Sequence, residues 1–393
     1  MLHPSTRITS ISLFALSVAI LMFSGCSSNE PSAVTTSEST SLSNARPVLP
    51  ASDSLIPVNG KGRYFIGANY PWHRYGDDFG GTPESSSRDW SKIQADFNTM
   101  HEQGVEIVRM YIFADGRSEP KFDSQGYVTG VGPMFYSDFD KMLKIAADCD
   151  ISLVLTLCDS SMYRFYPDPV THGGGHARIV LENQAQQSFL KKALKPLLVH
   201  VANSPYKSTV NSIDLINEPE GCTAGFYAAG GIGRGAMKSF ILVEAEYVHT
   251  YAPGVFATVG SATPTWVNTW KGIGLDYYCT HYYPDMDGRD VLAGTLPPGN
   301  GLPQYSVLGL DRACVLEEFA THDSDYNPVS KKPLSGRWYL DQIRARGYAG
   351  ALAWSYTVPD NASDWKDFAP TYEAWYKKHE ADLSKPLGQS SKR

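Results

Sequence analysis

Ser212-Ile213-Asp214-Leu215-Ile216-Asn217 is a short, mostly apolar run that reads as a β-strand, and Glu218-Pro219 follows it at once. Seven more strand-like runs lie along the chain, at 64–69, 106–112, 152–157, 255–259, 277–282, 313–318 and 350–355. Between them, stretches with apolar residues three and four apart predict helices over 90–103, 138–148, 184–200, 235–251 and 336–346. Gly104, Gly254 and Gly347 follow three of these helices, where a left-handed C-cap is expected. Strands alternating with helices signal βα units and not a sandwich. Eight such units in one domain predict an α/β fold, the (β/α)8 TIM barrel. An open, doubly wound sheet is the alternative, but no glycine-rich phosphate fingerprint follows the first strand.

The remaining composition narrows the partners. Of 393 residues, 41 are acidic and 34 basic, a net charge of −7, and no Lys/Arg block occurs. Nucleic acid is therefore excluded as a partner, because phosphate binding needs clustered cations. Charged residues make up only 19%, below the roughly 25% usual for globular chains, while Trp, Tyr and Phe number 8, 23 and 16. Such a surface suits a neutral, hydroxylated ligand such as a sugar, whose C–H faces pack on rings.

Outside the barrel, Arg7 precedes an apolar run over 11–23, the length of a signal-peptide core and too short to span a bilayer. Phe23-Ser24-Gly25-Cys26 resembles a bacterial lipobox, with Phe where Leu is commoner. The resemblance implies removal of residues 1–25 and a lipid on Cys26. It implies a lipoprotein of the cell envelope, anchored at the outer membrane or cell surface or facing the periplasm. Residues 26–60, rich in Ser, Thr, Pro and Ala, read as a flexible tether. The domain is expected over 61–383, with a frayed tail at 384–393. Cys149, Cys158, Cys222, Cys279 and Cys314 remain, an odd number that leaves at least one free thiol. Cys222 is a candidate for pairing, with its partner open, and no close Cys pair marks a zinc site.

In such barrels, chemistry sits at the C-terminal ends of the strands. There the sequence places Asn69-Tyr70-Pro71-Trp72, Arg109-Met110-Tyr111, Cys158-Asp159, Asn217-Glu218, Ser261, His281-Tyr282-Tyr283, Glu317-Glu318-Phe319 and Trp354-Ser355. Glu218 on the fourth strand and Glu318 on the seventh would face each other across the mouth. Glycosidic cleavage needs such a pair: one neutral acid for the leaving oxygen, one ionised carboxylate at the anomeric carbon. Arg109 and Tyr283 would lower the pKa of Glu318, leaving the proton to Glu218 in less cationic surroundings. Glu317 is expected to turn to the opposite face by strand alternation.

Asn217-Glu218-Pro219 with Glu318-Phe319 resembles the pattern of clan A of the glycoside hydrolases, and within it family 5. Ile107 to Gly116 resembles strand two of the β-mannanase branch, Thr280-His281-Tyr282-Tyr283-Pro284 its His-x-Tyr-Pro, and Ala353-Trp354-Ser355 its strand-eight platform. The resemblance implies Glu218 as acid/base and Glu318 as nucleophile of a retaining enzyme, with Arg109, Asn217, His281, Tyr283 and Trp354 as substrate-binding residues, to which the position of Trp72 at the end of the first strand adds a further candidate. No metal or organic cofactor is implied, and a monomer is expected. It departs at Glu220, where mannanases often carry Arg, and at Ala320, where Gly is usual. The implied activity is endo-cleavage of a β-linked polysaccharide or oligosaccharide, mannan first. Cellulase-type β-1,4-glucan cleavage, exopolysaccharide hydrolysis and transglycosylation by the same pair are the alternatives. A non-catalytic polysaccharide-binding lipoprotein is the alternative of another class, and the presence of both carboxylates speaks against it. Trp72, His73, Trp266 and Trp270 are candidates for outer sugar subsites, with structural packing as the equal alternative for each. The loop Thr171-His172-Gly173-Gly174-Gly175-His176 reads as a mobile cover of the cleft, since its histidines lack a neighbouring carboxylate for a metal site.

Overall fold

Eight parallel strands close on themselves in a computed structural model, in the order β3, β4, β7, β8, β9, β10, β11, β12 and back to β3. They are β3 (Phe65–Asn69), β4 (Ile107–Ala114), β7 (Ser152–Asp159), β8 (Val210–Asn217), β9 (Phe256–Ser261), β10 (Tyr278–Tyr282), β11 (Cys314–Phe319) and β12 (Gly350–Ala353). The structure describes residues 55–80, 89–226, 231–283, 302–321, 335–359 and 363–386, all within one compact unit. The expected signal segment, Cys26, nearly all of the tether and Pro284 lie outside the described residues. All eight expected strands are present, and every residue of β4 and β8 is buried. Strands covered on both faces read as nearly continuous apolar runs, which is why they were legible.

Helices α1 (Trp90–Glu102), α2 (Phe135–Asp148), α3 (Arg178–Leu181), α4 (Asn183–Phe189), α5 (Lys195–Asn203), α6 (Arg234–Tyr251), α7 (Gly336–Ala345) and α8 (Trp365–His379) connect or follow the strands. Asp89 and Ser335 cap α1 and α7 by accepting the backbone N–H groups of Lys92 and Trp338. Gly104, Gly254 and Gly347 take φ of 89°, 98° and 86°, the left-handed closure that their positions predicted. The stretch expected as one helix over 184–200 is α4, a π-helical turn at Leu190–Leu194, and α5. Pro196 has no N–H to give to Lys192, so the regular ladder is broken there. Between β9 and β10 a single 3-10 turn, Val267–Trp270, stands where a helix would be. One apolar cluster fills the barrel's lower interior, including Phe65, Ile107, Val154, Tyr277, Val315 and Leu352. A larger one lies between strands and helices.

The domain's expected edges move outward. β1 (Ile56–Val58) and β13 (Ser384–Pro386) both pair antiparallel with β2 (Lys61–Arg63), forming a three-stranded sheet. Ile56 and Val58 are buried and Ser384–Pro386 is paired, so folded structure reaches past the expected bounds of 61 and 383. A short hairpin, β5 (Lys121–Phe122) with β6 (Val128–Gly130), completes the strands. None of the described helices is long and apolar enough to cross a membrane.

Candidate active site

Three register shifts occur near the C-terminal ends of β4, β8 and β11. On β11, Thr280 and His281 face Leu316 and Glu318, so Glu317 is the extra residue of a bulge. A bulge re-aims side chains that strict alternation would separate. Glu317 therefore does not turn to the opposite face as expected. Both it and Glu318 reach Arg109, at 3.3 Å to Nε and 2.5 Å to Nη1. On β8 the shift between Asp214 and Asn217 has the same result. Arg109 Nη2 donates to Asp214 Oδ2 and to Asn217 Oδ1, both at 2.7 Å.

Arg109 is fully buried and is the hub of the mouth. Its Nη1 also donates to Asn69 Oδ1 at 3.1 Å, and Asn69 Nδ2 ties to the Glu317 carbonyl. Asp214 accepts from Thr156 Oγ1 at 2.8 Å and from the Gly260 amide at 2.9 Å. In the sequence Asp214 stands only as one residue of a mostly apolar strand. A charge inside such a strand, four residues before the glutamate, was the signal that could have found it. Gly260 leaves room for this cluster: a Cβ there would lie 2.7 Å from Glu317 Oε2 and 3.0 Å from His281 Nε2.

His281, also fully buried, joins the two glutamates. Nδ1 lies 2.9 Å from Glu218 Oε1, and Nε2 lies 3.5 Å from Glu318 Oε1 and 3.8 Å from Glu317 Oε2. Burial works against its charge, but Glu318, Glu218 and Glu317 outweigh burial and raise its pKa to about 10. It is an imidazolium at neutral pH, donating to Glu218. The expectation that Glu218 has the less cationic surroundings is thus corrected. So is the expected lowering at Glu318. Burial raises this carboxyl above its usual value, although His281 and Arg109 pull it down and the Tyr283 hydroxyl donates to Oε2 at 2.9 Å. Burial and then Glu317 push Asp214 up to about 6. Burial also acts to raise Glu317, but Arg109 and His281 overcome it and hold this carboxyl low. Two cations, Arg109 and His281, thus face four carboxylates.

This charge pattern has a consequence for stability. The His281 pKa lies near 6.5 when unfolded and about 10 when folded, so its stabilisation is complete below pH 6.5 and is lost as pH rises towards 10. Between pH 6.5 and about 8.5, before free thiols begin to ionise, the unfolding free energy should fall by up to about 1.4 kcal/mol per pH unit. Denaturant titrations across this window check it: the slope should shrink in His281→Gln, and an unchanged slope would remove His281 as its source.

Glu218 follows β8 with φ 47° and ψ 57°, a left-handed conformation uncommon for a side chain and further restricted by Pro219. Its amide donates to the Gly260 carbonyl at 2.7 Å and its carbonyl accepts from Gly221 at 2.8 Å. Backbone strain of about 1–3 kcal/mol is held there. Asn217 Nδ2 donates to Asp159 Oδ2 at 2.8 Å, so one amide proton is already engaged and a second remains on the same nitrogen. Trp354 and Trp72, both half-buried, meet edge to face at 6.1 Å, and Trp72 continues to Tyr111 and Tyr75.

Other residues have packing and hydrogen-bonding roles of their own. Trp270 is fully buried and donates Nε1–H to Glu220 Oε1 at 2.6 Å, so it is no sugar platform. Glu220, the departure from the mannanase pattern, also accepts from Ser261 Oγ and the Ala262 amide and anchors the turn after β9. Trp266 packs on Phe226 at 5.1 Å. The glycine-rich loop is pinned and not a loose cover: Gly174 N–H donates to the Asp115 carbonyl and His176 N–H to that of Met162. His176 stacks on Phe122 at 3.8 Å, and burial lowers its pKa to about 4. All five cysteines among the described residues are buried free thiols, and Cys222 is unpaired. Glu218, His281 and Glu318 offer ligand atoms within 4.8 Å of one another and could hold a metal ion. Binding would require removing the imidazolium proton beside Arg109.

The same barrel occurs in solved structures. β-Mannanase from the blue mussel Mytilus edulis superposes with a TM-score of 0.65 at 22% identity, covering 85% of this chain and 97% of that one. β-1,4-Mannanase from the sea hare Aplysia kurodai gives 0.66 at 22% identity, covering 84% and 96%. These chains share its fold. In sequence, a mannan endo-1,4-beta-mannosidase of Mytilus edulis is 25% identical over 351 residues, 79% of this chain and 88% of that relative. No protein-family model matches the chain.

Proposed function

We propose that the chain is a retaining endo-β-1,4-mannanase of the family 5 type, with Glu218 as acid/base and Glu318 as nucleophile. One observation carries the mechanism: an oxygen of each carboxylate lies within 4.8 Å of the other. Retaining glycosidases place the pair about 5–5.5 Å apart, inverting ones about 6.5–9.5 Å apart to admit a water. The sequence similarity to the mussel mannosidase over most of both chains supports mannan as substrate.

In the first step, Glu318 forms a bond to the anomeric carbon as the glycosidic C–O bond breaks, and the Glu218 proton passes to the leaving oxygen, which departs as a hydroxyl. In the second, Glu218 takes a proton from water, whose oxygen attacks the anomeric carbon and frees Glu318. Arg109, His281 and Tyr283 orient Glu318, and the remaining Asn217 amide proton is available to a sugar 2-hydroxyl. Trp354 forms the floor beneath the ring. Glu218→Ala should lower kcat on β-mannan by about 10²–10⁴-fold. A panel of mannan, glucan and exopolysaccharide, scored by product size and by the first anomer in NMR, checks the reading. Cleavage of glucan alone would move the substrate, and an inverted first product would remove the covalent step.

The proposal extends to a monomeric domain tethered to the cell envelope by a lipid on Cys26, supported by Arg7, the apolar run over 11–23 and the small residues before the cysteine. The mass of the N-terminal peptide from membrane-extracted protein should begin at a lipid-modified Cys26. An unmodified peptide starting elsewhere would refute the anchor.

A further inference from the structure

A cavity of about 580 Å³ is lined by Tyr75, Asp115, Arg117, Arg164, Tyr166 and Asp168 among others. That volume falls within the roughly 300–1,000 Å³ of small-molecule sites. Its walls are built. Arg117 forks onto Asp115 through Nε to Oδ1 at 2.9 Å and Nη2 to Oδ2 at 2.5 Å, and lies 4.4 Å over the Tyr75 ring. Asp115 is itself nearly inaccessible. Asp78 accepts the amides of His73 and Arg74, shaping the turn that presents Tyr75. Opposite, Asp168 accepts from the Val170 and Thr171 amides at 2.9 and 2.8 Å, and its own N–H donates to the Gly173 carbonyl. This pinned loop holds Tyr166 83% exposed.

Charge and continuity identify the occupant. Each arginine has a carboxylate beside it, Arg117 with Asp115 and Arg164 near Asp168, so the cavity is balanced and does not select an anion. It offers planar polar groups and an exposed ring, the surface that a neutral hexose uses through its hydroxyls and C–H face. Rings also lead from the mouth to the cavity: Trp354 to Trp72 at 6.1 Å, then Trp72 to Tyr75 at 4.5 Å. We propose that this cavity is a remote glycan subsite, holding a neutral hexose of the same polysaccharide chain several units from the cleaved bond, with Tyr166 as its platform. The inference rests on the β-mannanase reading and deepens it to recognition of a long substrate.

The test compares the domain with its Tyr166→Ala and Tyr166→Phe variants on linear β-1,4-mannohexaose and on mannotriose. Expected is a KM about 10-fold higher on the hexaose for Tyr166→Ala, at unchanged kcat, with no change on the triose and with parent-like values for Tyr166→Phe. The Glu318→Gln background should show the same ratio in hexaose affinity by calorimetry. Equal effects on both oligomers, or none on the hexaose while the parent cleaves it, would overturn the subsite. Failure of the parent to cleave any β-mannan would instead overturn the reading beneath it.

Discussion

Glu318→Gln is expected to lower kcat on β-1,4-mannan by on the order of 10⁴-fold or more, while the far-UV spectrum and melting curve stay close to those of the parent. The amide keeps an oxygen for Arg109 Nη1, and its NH2 can donate to the Tyr283 hydroxyl that now donates to Oε2, but it cannot form the glycosyl ester. The effect should exceed that of Glu218→Ala on substrates with good leaving groups, because an activated aglycone needs less acid help and still needs a nucleophile. Initial rates on mannan and on an aryl mannoside separate the roles. Retention of more than a tenth of the parent rate in Glu318→Gln would place the nucleophile elsewhere.

Arg109→Met should be the most destabilising single change at the mouth. It removes a guanidinium that sits within 3.3 Å of Asp214, Glu317 and Glu318, all three nearly or fully inaccessible. Leaving buried carboxylates without their cation costs about 3–5 kcal/mol. Urea titration should show this loss at pH 7, and adding Asp214→Asn should recover part of it because one stranded charge is gone. Arg109→Lys should fall between, since one ammonium cannot serve Asn69, Asp214, Asn217 and Glu318 at once. A stability within about 1 kcal/mol of the parent for Arg109→Met would mean that the carboxylates satisfy one another by sharing protons.

The barrel was legible because parallel strands covered on both faces leave dense apolar runs, and because Gly104, Gly254 and Gly347 mark helix ends by the one conformation that glycine alone adopts freely. Helix α8 escaped the periodicity reading, as Pro370 lies inside it and reads as a breaker. At the mouth, the positions of Glu218, Glu318, Arg109, His281 and Tyr283 followed from strand ends, and the structure brings them together. What the sequence could not express was direction. Period-two alternation sends Glu317 away from Glu318 and Asp214 away from Asn217, and bulges bring all four back to Arg109. Nor does a linear pattern reveal that His281 Nδ1 meets Glu218, since 63 residues separate them. Of the two readings open for Trp270, the structure selects packing: an indole that donates to a buried glutamate is committed to the core.

The small sheet formed by β1, β2 and β13 has a consequence for attachment. β2 runs directly into the start of β3, so the sheet belongs to the end of the barrel where strands begin, whereas Glu218 and Glu318 stand where strands finish. One strand, β2, therefore clasps both extremities of the folded chain at a single pole. A cargo, dye or surface coupled at either extremity would hang from that pole and leave the opposite one facing outward. Because the extremities are neighbours, joining Pro386 back to Leu55 through a short linker and reopening the chain in a surface loop would conserve every barrel strand. The domain can thus be mounted by its base, or cut and rejoined there, with the end that carries Glu218 and Glu318 turned outward.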